Sequence, residues 1–161
     1  MTREAEAEMG GYSIFFDTIA DMTWTQVEES AKRGALMLVP VAVIEQHGPH
    51  LPLATDTYGA YLLCSQARVG LEKAGVEAVI APPYYFGLNP STGMFPGSLS
   101  MEKKTMVSAL SQLLQELGRF GFVRQFIINH HGDPDHNDAL AEAIKAVREG
   151  GIDAVLTLGG F

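Results

Sequence analysis

Carboxylate and imidazole side chains, the mixture that ligates Zn²⁺ and also Mn²⁺ or Fe²⁺, gather at two places in this chain. The first is Glu45-Gln46-His47-Gly48-Pro49-His50, followed by Asp56; the second is His130-His131 with Asp133. Four of the five histidines fall in these two clusters, and the fifth, His136, lies just beyond. Isolated surface histidines do not group in this way. Gly48, Pro49 and Pro52 fix the first segment as a loop. A fixed loop presents ligands with little ordering entropy left to lose. Glu45, His47, Asp56 and His131 supply four ligands, enough for one cation, and Asp133 offers a fifth. A carboxylate such as Asp56 can also bridge two ions, which lie ~3.5–4 Å apart in hydrolytic centres. The competing reading is a hydrogen-bond network that fixes a turn, but buried carboxylates are seldom retained for that alone.

The elements around these clusters alternate. Thr23 caps a helix over 23–33, with Gln26 placed for a capping box. Residues 35–43 are a continuous apolar run, the pattern of a strand buried on both faces. Helical periodicity covers 56–74, 101–120 and 135–149, and short apolar runs at 78–81, 122–128 and 153–158 read as further strands. Strands separated by helices imply an α/β fold with a mostly parallel sheet. Ligands gather beyond the carboxyl ends of such strands, and both polar clusters directly follow a strand. The long loop over 84–100 is rich in glycine and proline.

Within that frame several residues have two readings. His50 is either a structural loop residue or an outer donor that orients a ligand. Asp133 either opens the last helix or binds metal. Asp135 and His136 read as helix-opening residues, Asp135 as a cap or dipole partner. Cys64 lies in an apolar helical pattern and reads as core.

The chain's 161 residues fit one domain, and its net charge of −8 argues against nucleic acid or anionic membrane as a partner. A single cysteine forms no intrachain disulfide and fits a reducing cytoplasm. No secretory signal or bilayer-spanning run is visible. Residues 1–11 read as a disordered acidic tail and 12–161 as the domain.

The stretch Pro40-Val-Ala-Val-Ile-Glu-Gln-His-Gly-Pro-His-Leu-Pro-Leu-Ala-Thr-Asp56 resembles the signature of the creatininase (creatinine amidohydrolase) family. Phe16-Asp-Thr-Ile-Ala-Asp-Met-Thr-Trp24, the loop from Gly87-Leu-Asn-Pro90 to Phe95-Pro-Gly-Ser98, and Ile128-Asn-His-His-Gly132 are similar to further family segments. The resemblance implies a three-layer α/β/α sandwich, a homo-oligomer, and a two-metal centre of Zn, Mn or Fe. It places Glu45, His47 and Asp56 among the ligands, with Asp56 bridging, His131 as the second-motif histidine, and Asp133 where creatininases carry a ligating glutamate. The implied chemistry is hydrolysis of a cyclic amide or related C–N bond by metal-activated water. A lactone or sugar-ring hydrolase, or a non-catalytic metal-binding assembly subunit, would use the same ligands.

Two departures matter. The family's second motif has glycine where this chain has His130, so His130 either narrows the pocket or contacts substrate. Family members also continue beyond the position of Phe161 into a segment that supplies an active-site histidine and glutamate. The expectation is therefore a C-terminally shortened member, or a site completed by a partner chain. His130 and His50 are then the local candidates for the catalytic acid, and His130 and Phe95 for substrate contacts.

Overall fold

The four apolar runs pair into one sheet. The structure, a computed structural model, describes residues 13–158. Its strands are β1 (Leu36–Val41), β2 (Ala78–Ile80), β3 (Arg124–Asn129) and β4 (Asp153–Leu158). All neighbours are parallel, in the order β2-β1-β3-β4. Every residue of β1 is buried, as a central strand covered on both faces requires. Side-chain alternation divides that strand between two cores. Leu36 and Leu38 meet Cys64, Ile80 and Ile128 on one face. Met37, Val39 and Val41 meet Leu110, Leu114, Ile127 and Leu140 on the other.

The connecting helices are α1 (Trp24–Lys32), α2 (Thr55–Lys73), α3 (Lys103–Arg119) and α4 (Pro134–Glu149). Leu63, Cys64, Ala67 and Leu71 of α2 cover the first face. The second is covered by α3 and α4, with Val27 and Ala31 of α1 against the same core. The result is the three-layer α/β/α sandwich. The expected capping box is formed: the Thr23 hydroxyl accepts from the Gln26 N–H, and Gln26 Oε1 accepts from the Thr23 N–H. At α4 the cap is Asp133, while Asp135 lies in the first turn, where a negative charge suits the helix dipole.

Strand order positions the site. From β1 the chain runs outward to β2, then returns across the sheet to β3, so the connections leaving β1 and β3 part in opposite directions. Such a switch point opens a crevice at the carboxyl ends of the two strands. Val41 and Asn129, the last residues of β1 and β3, are register partners. The His130 N–H donates to the Val41 carbonyl at 3.1 Å, so both polar clusters leave the sheet at one level. No described helix is long and apolar enough to cross a membrane. The tail expected over residues 1–11 lies outside the described residues.

Candidate metal centre

The donors reach the crevice from three elements. Glu45 and His47 follow β1 on a loop closed by the Glu45 N–H to the Leu53 carbonyl, 3.0 Å. Gly48, at φ +75°, turns that loop. Asp56 sits in the first turn of α2, which lacks a side-chain cap, and its carboxylate faces the positive end of the helix dipole. The Thr57 hydroxyl ties the same turn back to the Val43 carbonyl. His131 follows β3 and is bracketed by Asn129. The Asn129 amide donates to the His131 carbonyl at 2.8 Å, and its Oδ1 accepts the His131 N–H at 3.2 Å.

The side chains converge tightly. His131 Nδ1 lies 2.9 Å from Glu45 Oε1 and 3.0 Å from Asp56 Oδ2. One donor atom from each of Glu45, Asp56 and His131 falls within 4.8 Å of the other two, and all three residues are buried. On the far side of the same carboxylate, Asp56 Oδ1 lies 2.9 Å from His47 Nε2 and 3.6 Å from His130 Nδ1. The two oxygens of Asp56 thus face two separate sets of donors. Glu45 Oε2 accepts a short hydrogen bond from the Thr92 hydroxyl.

The outer nitrogens of the two histidines are engaged by backbone. His131 Nε2 faces the Leu88 carbonyl at 3.0 Å, and His47 Nδ1 faces the Glu45 carbonyl at 3.0 Å. A carbonyl only accepts, so those nitrogens carry protons, and the inner nitrogens, His131 Nδ1 and His47 Nε2, are the ones presented to a cation. Metal-binding histidines are oriented in this manner. Two acids and a histidine, buried and converging, with outer nitrogens tied to carbonyls, fit a divalent cation of the Zn, Mn or Fe type.

The electrostatics agree. Burial alone would raise the Asp56 carboxyl, but the hydrogen bonds and charges of His131 and His47 outweigh it and hold Asp56 below the usual carboxylate range. Burial opposes a charge on His131, yet the Asp56 hydrogen bond and the charge of Glu45 raise its pKa above the ordinary value. Without a cation, the raised pKa favours a proton on His131 Nδ1, and a bound cation displaces it. The apparent metal affinity is expected to rise about tenfold per pH unit up to the raised pKa and then level off. Calorimetry at low pH in buffers of different ionisation enthalpy checks this; net proton release on binding is expected, and none would be contrary.

The expected site residues separate in space. Glu45, His47, Asp56, His130, His131 and Asp133 line one open cavity of about 370 Å³, together with Ser91, Thr92, Gly132 and Pro134. Asp133 is at its edge and outside the three-residue cluster. One of its oxygens caps α4 through the Asp135 and His136 N–H groups, and the other accepts from the Ser91 hydroxyl at 3.0 Å. His50 is exposed, packs near Gly48 and does not line the cavity. Phe95 is 46% exposed on the glycine- and proline-rich loop. A larger cavity of about 640 Å³, between Asp17, Arg68 and Val79, lies elsewhere and contains none of the three clustered donors.

Several contributors were not legible. Thr92 and the Leu88 carbonyl come from the glycine- and proline-rich loop over 84–100, where nothing in the spacing singles them out. His136, read as helix-opening, is fully buried. Burial, and then the positive charge of His131, push its pKa down to about 3, so it is neutral.

With this geometry in place, comparison with known proteins is decisive. The family model described as creatininase, creatinine amidohydrolase, matches residues 20–159. The chain belongs to the creatininase family. The mycofactocin precursor peptide peptidase of Mycolicibacterium smegmatis is 38% identical over 126 residues, covering 74% of this chain and 47% of that protein. The 3-dehydro-scyllo-inosose hydrolase of Thermotoga maritima is 29% identical over 121 residues, covering 74% of this chain and 36% of that protein. Crystalline creatininase superposes with a TM-score of 0.73 at 22% identity over 88% of this chain and 57% of its own. The creatininase structures include a manganese form and a zinc–zinc mutant form, with TM-scores of 0.70 and 0.71 and identities of 21% and 23%, each over 58% of its own chain. The chain therefore spans about half the length, or less, of the curated relatives it matches.

Proposed function

We propose that this creatininase-family chain is the metal-binding part of a hydrolase that cleaves a cyclic amide or related C–N bond. The observation that carries the proposal is the convergence of Glu45, Asp56 and His131 within 4.8 Å, on the wall of an open cavity of about 370 Å³. Glu45, His47, Asp56 and His131 are the proposed ligands. Asp56, with donors on both of its oxygens, is proposed to serve two positions, and Asp133 to support the site from its edge. A divalent cation bound there acidifies water and polarises a carbonyl. The chain's residues do the rest. The Leu88 and Glu45 carbonyls fix the imidazole orientations, and Thr92 holds Glu45.

As water adds to the carbonyl carbon and the C–N bond breaks, the leaving nitrogen needs a proton. His130 is the proposed donor: its side chain is 32% exposed, lines the cavity and has Nδ1 near Asp56. His50, exposed outside that lining, is the weaker candidate. Phe95, outside the cavity lining but with its N–H donating to the Thr92 carbonyl at 3.0 Å, is proposed as an apolar contact for substrate.

The relatives widen the substrate range to a peptide and to an inosose-derived ring. A lactone or sugar-ring substrate is the second reading, favoured by the latter. Metal analysis followed by assay on a cyclic amide, a short peptide and a lactone tests the proposal. Chelation is expected to abolish turnover, and Zn²⁺ or Mn²⁺ to restore it, at two ions per chain. Bound metal with no turnover on any of the three would favour a non-catalytic assembly role instead.

A further inference from the structure

We propose that His136 is a positioning residue for the metal ligand His131, acting through the main chain of Leu88. The inference rests on the metal-binding reading of the site but concerns a residue outside the ligand set. Leu88 is held from both sides by imidazoles. Its N–H donates to His136 Nδ1 at 3.3 Å, and its carbonyl accepts from His131 Nε2 at 3.0 Å. Only an unprotonated Nδ1 can accept, so the His136 proton is on Nε2. The two rings also meet edge to face, with centroids 5.0 Å apart and planes at 86°.

This relay has no slack. His136 stands in the first turn of α4, its own N–H directed at the Asp133 cap. The preceding backbone lies directly on its ring. A Cβ added to Gly87 would fall 2.4 Å from His136 Nδ1 and 2.8 Å from a Val43 methyl. Leu88 is itself buried. The location of the Leu88 carbonyl, and with it the plane and tautomer of His131, therefore follows from the location of the His136 ring.

His136 also bears a cost that simple packing would avoid. Among the described residues its buried Nε2 has no hydrogen-bond partner, and an unsatisfied buried N–H is unfavourable. A hydrocarbon of similar size would fill the space without that penalty. It would, however, leave the Leu88 N–H without its acceptor. The ring is explained by what its other nitrogen does.

The test compares His136→Asn, whose side-chain oxygen can stand where Nδ1 stands, with His136→Leu and His136→Gln, which place no acceptor there. Two quantities are read: the Zn²⁺ dissociation constant by competition with a chromophoric chelator, and the imidazole ¹⁵N spectrum of the metal-free protein. His136→Leu and His136→Gln are expected to bind Zn²⁺ about 10- to 100-fold more weakly and, at a pH high enough for His131 to be neutral, to lose the single Nε2–H form of the outer His131 nitrogen. His136→Asn should keep both properties close to wild type. If either non-accepting variant is folded and binds Zn²⁺ as tightly as wild type, or if all three weaken it equally, the positioning role is overturned. Should wild type itself fail to bind Zn²⁺, the metal reading falls. The ¹⁵N spectra then decide the positioning role: an unchanged His131 tautomer in the non-accepting variants overturns it.

Discussion

Replacing Asp56 by Asn is expected to lower metal affinity by about 10³-fold, roughly 4 kcal/mol, and to leave no measurable hydrolysis, while the metal-free protein stays folded. Asp56 faces His47 with one oxygen at 2.9 Å and His131 with the other at 3.0 Å. Asparagine keeps the shape but turns one oxygen into an N–H donor and removes the charge, so at least one set of donors loses its shared ligand. The metal-free protein should be modestly destabilised and still fold, because two small effects add. A negative charge is lost from the first turn of α2. The contacts of His131 and His47 that hold Asp56 below the usual carboxylate range are weakened as well. Metal content, thermal unfolding with chelator, and turnover together check this. A variant that loses stability but binds metal as wild type does would show that Asp56 serves the turn and not the ion.

How much of this arrangement was legible in the sequence depended on the range over which each feature is determined. The run over 35–43 is apolar at consecutive positions, and only a strand covered on both faces accommodates that; it is β1, with all six residues buried. Glu45, His47 and Asp56 were readable together because their loop closes on itself, Glu45 N–H to Leu53 carbonyl, so local spacing already sets their approach. Asp133 was readable as either ligand or helix opener because its cap partners, Asp135 and His136, are neighbours. The junction with His131 was another matter. It depends on the pairing of Val41 with Asn129, and register follows from packing over the whole sheet, not from either segment. The direction of His50 was equally hidden: the φ of +75° at Gly48 turns the loop there, and composition does not report where the following side chain then points. His136 does open a helix, as read, but the contact of its ring was hidden for the opposite reason. Its helix position is local, but its partner is a main-chain group at Leu88, 48 residues away, and backbone groups have no sequence signature.

Truncating His130 separates proton delivery from metal binding. His130→Ala is expected to reduce kcat on an amide about 10²-fold, the usual contribution of a general acid, with metal content unchanged. On an ester with a good leaving group the loss should be only a few-fold, because an alkoxide or phenolate departs without prior protonation. Gly59→Ala offers a second route to the same displacement. A Cβ there would lie 2.7–2.8 Å from Cε1, Nδ1 and Nε2 of the His130 ring. The Gly59 backbone is in α2, so the partly exposed ring must move, and the same split between amide and ester should follow without loss of the fold. Equal losses on both substrates would mean that the ring shapes the cavity and donates no proton. Loss of metal would mean that Nδ1, 3.6 Å from Asp56 Oδ1, closes on the cation. The amide-to-ester ratio, measured on both variants, decides among these because only a proton donor is sensitive to the basicity of the leaving atom.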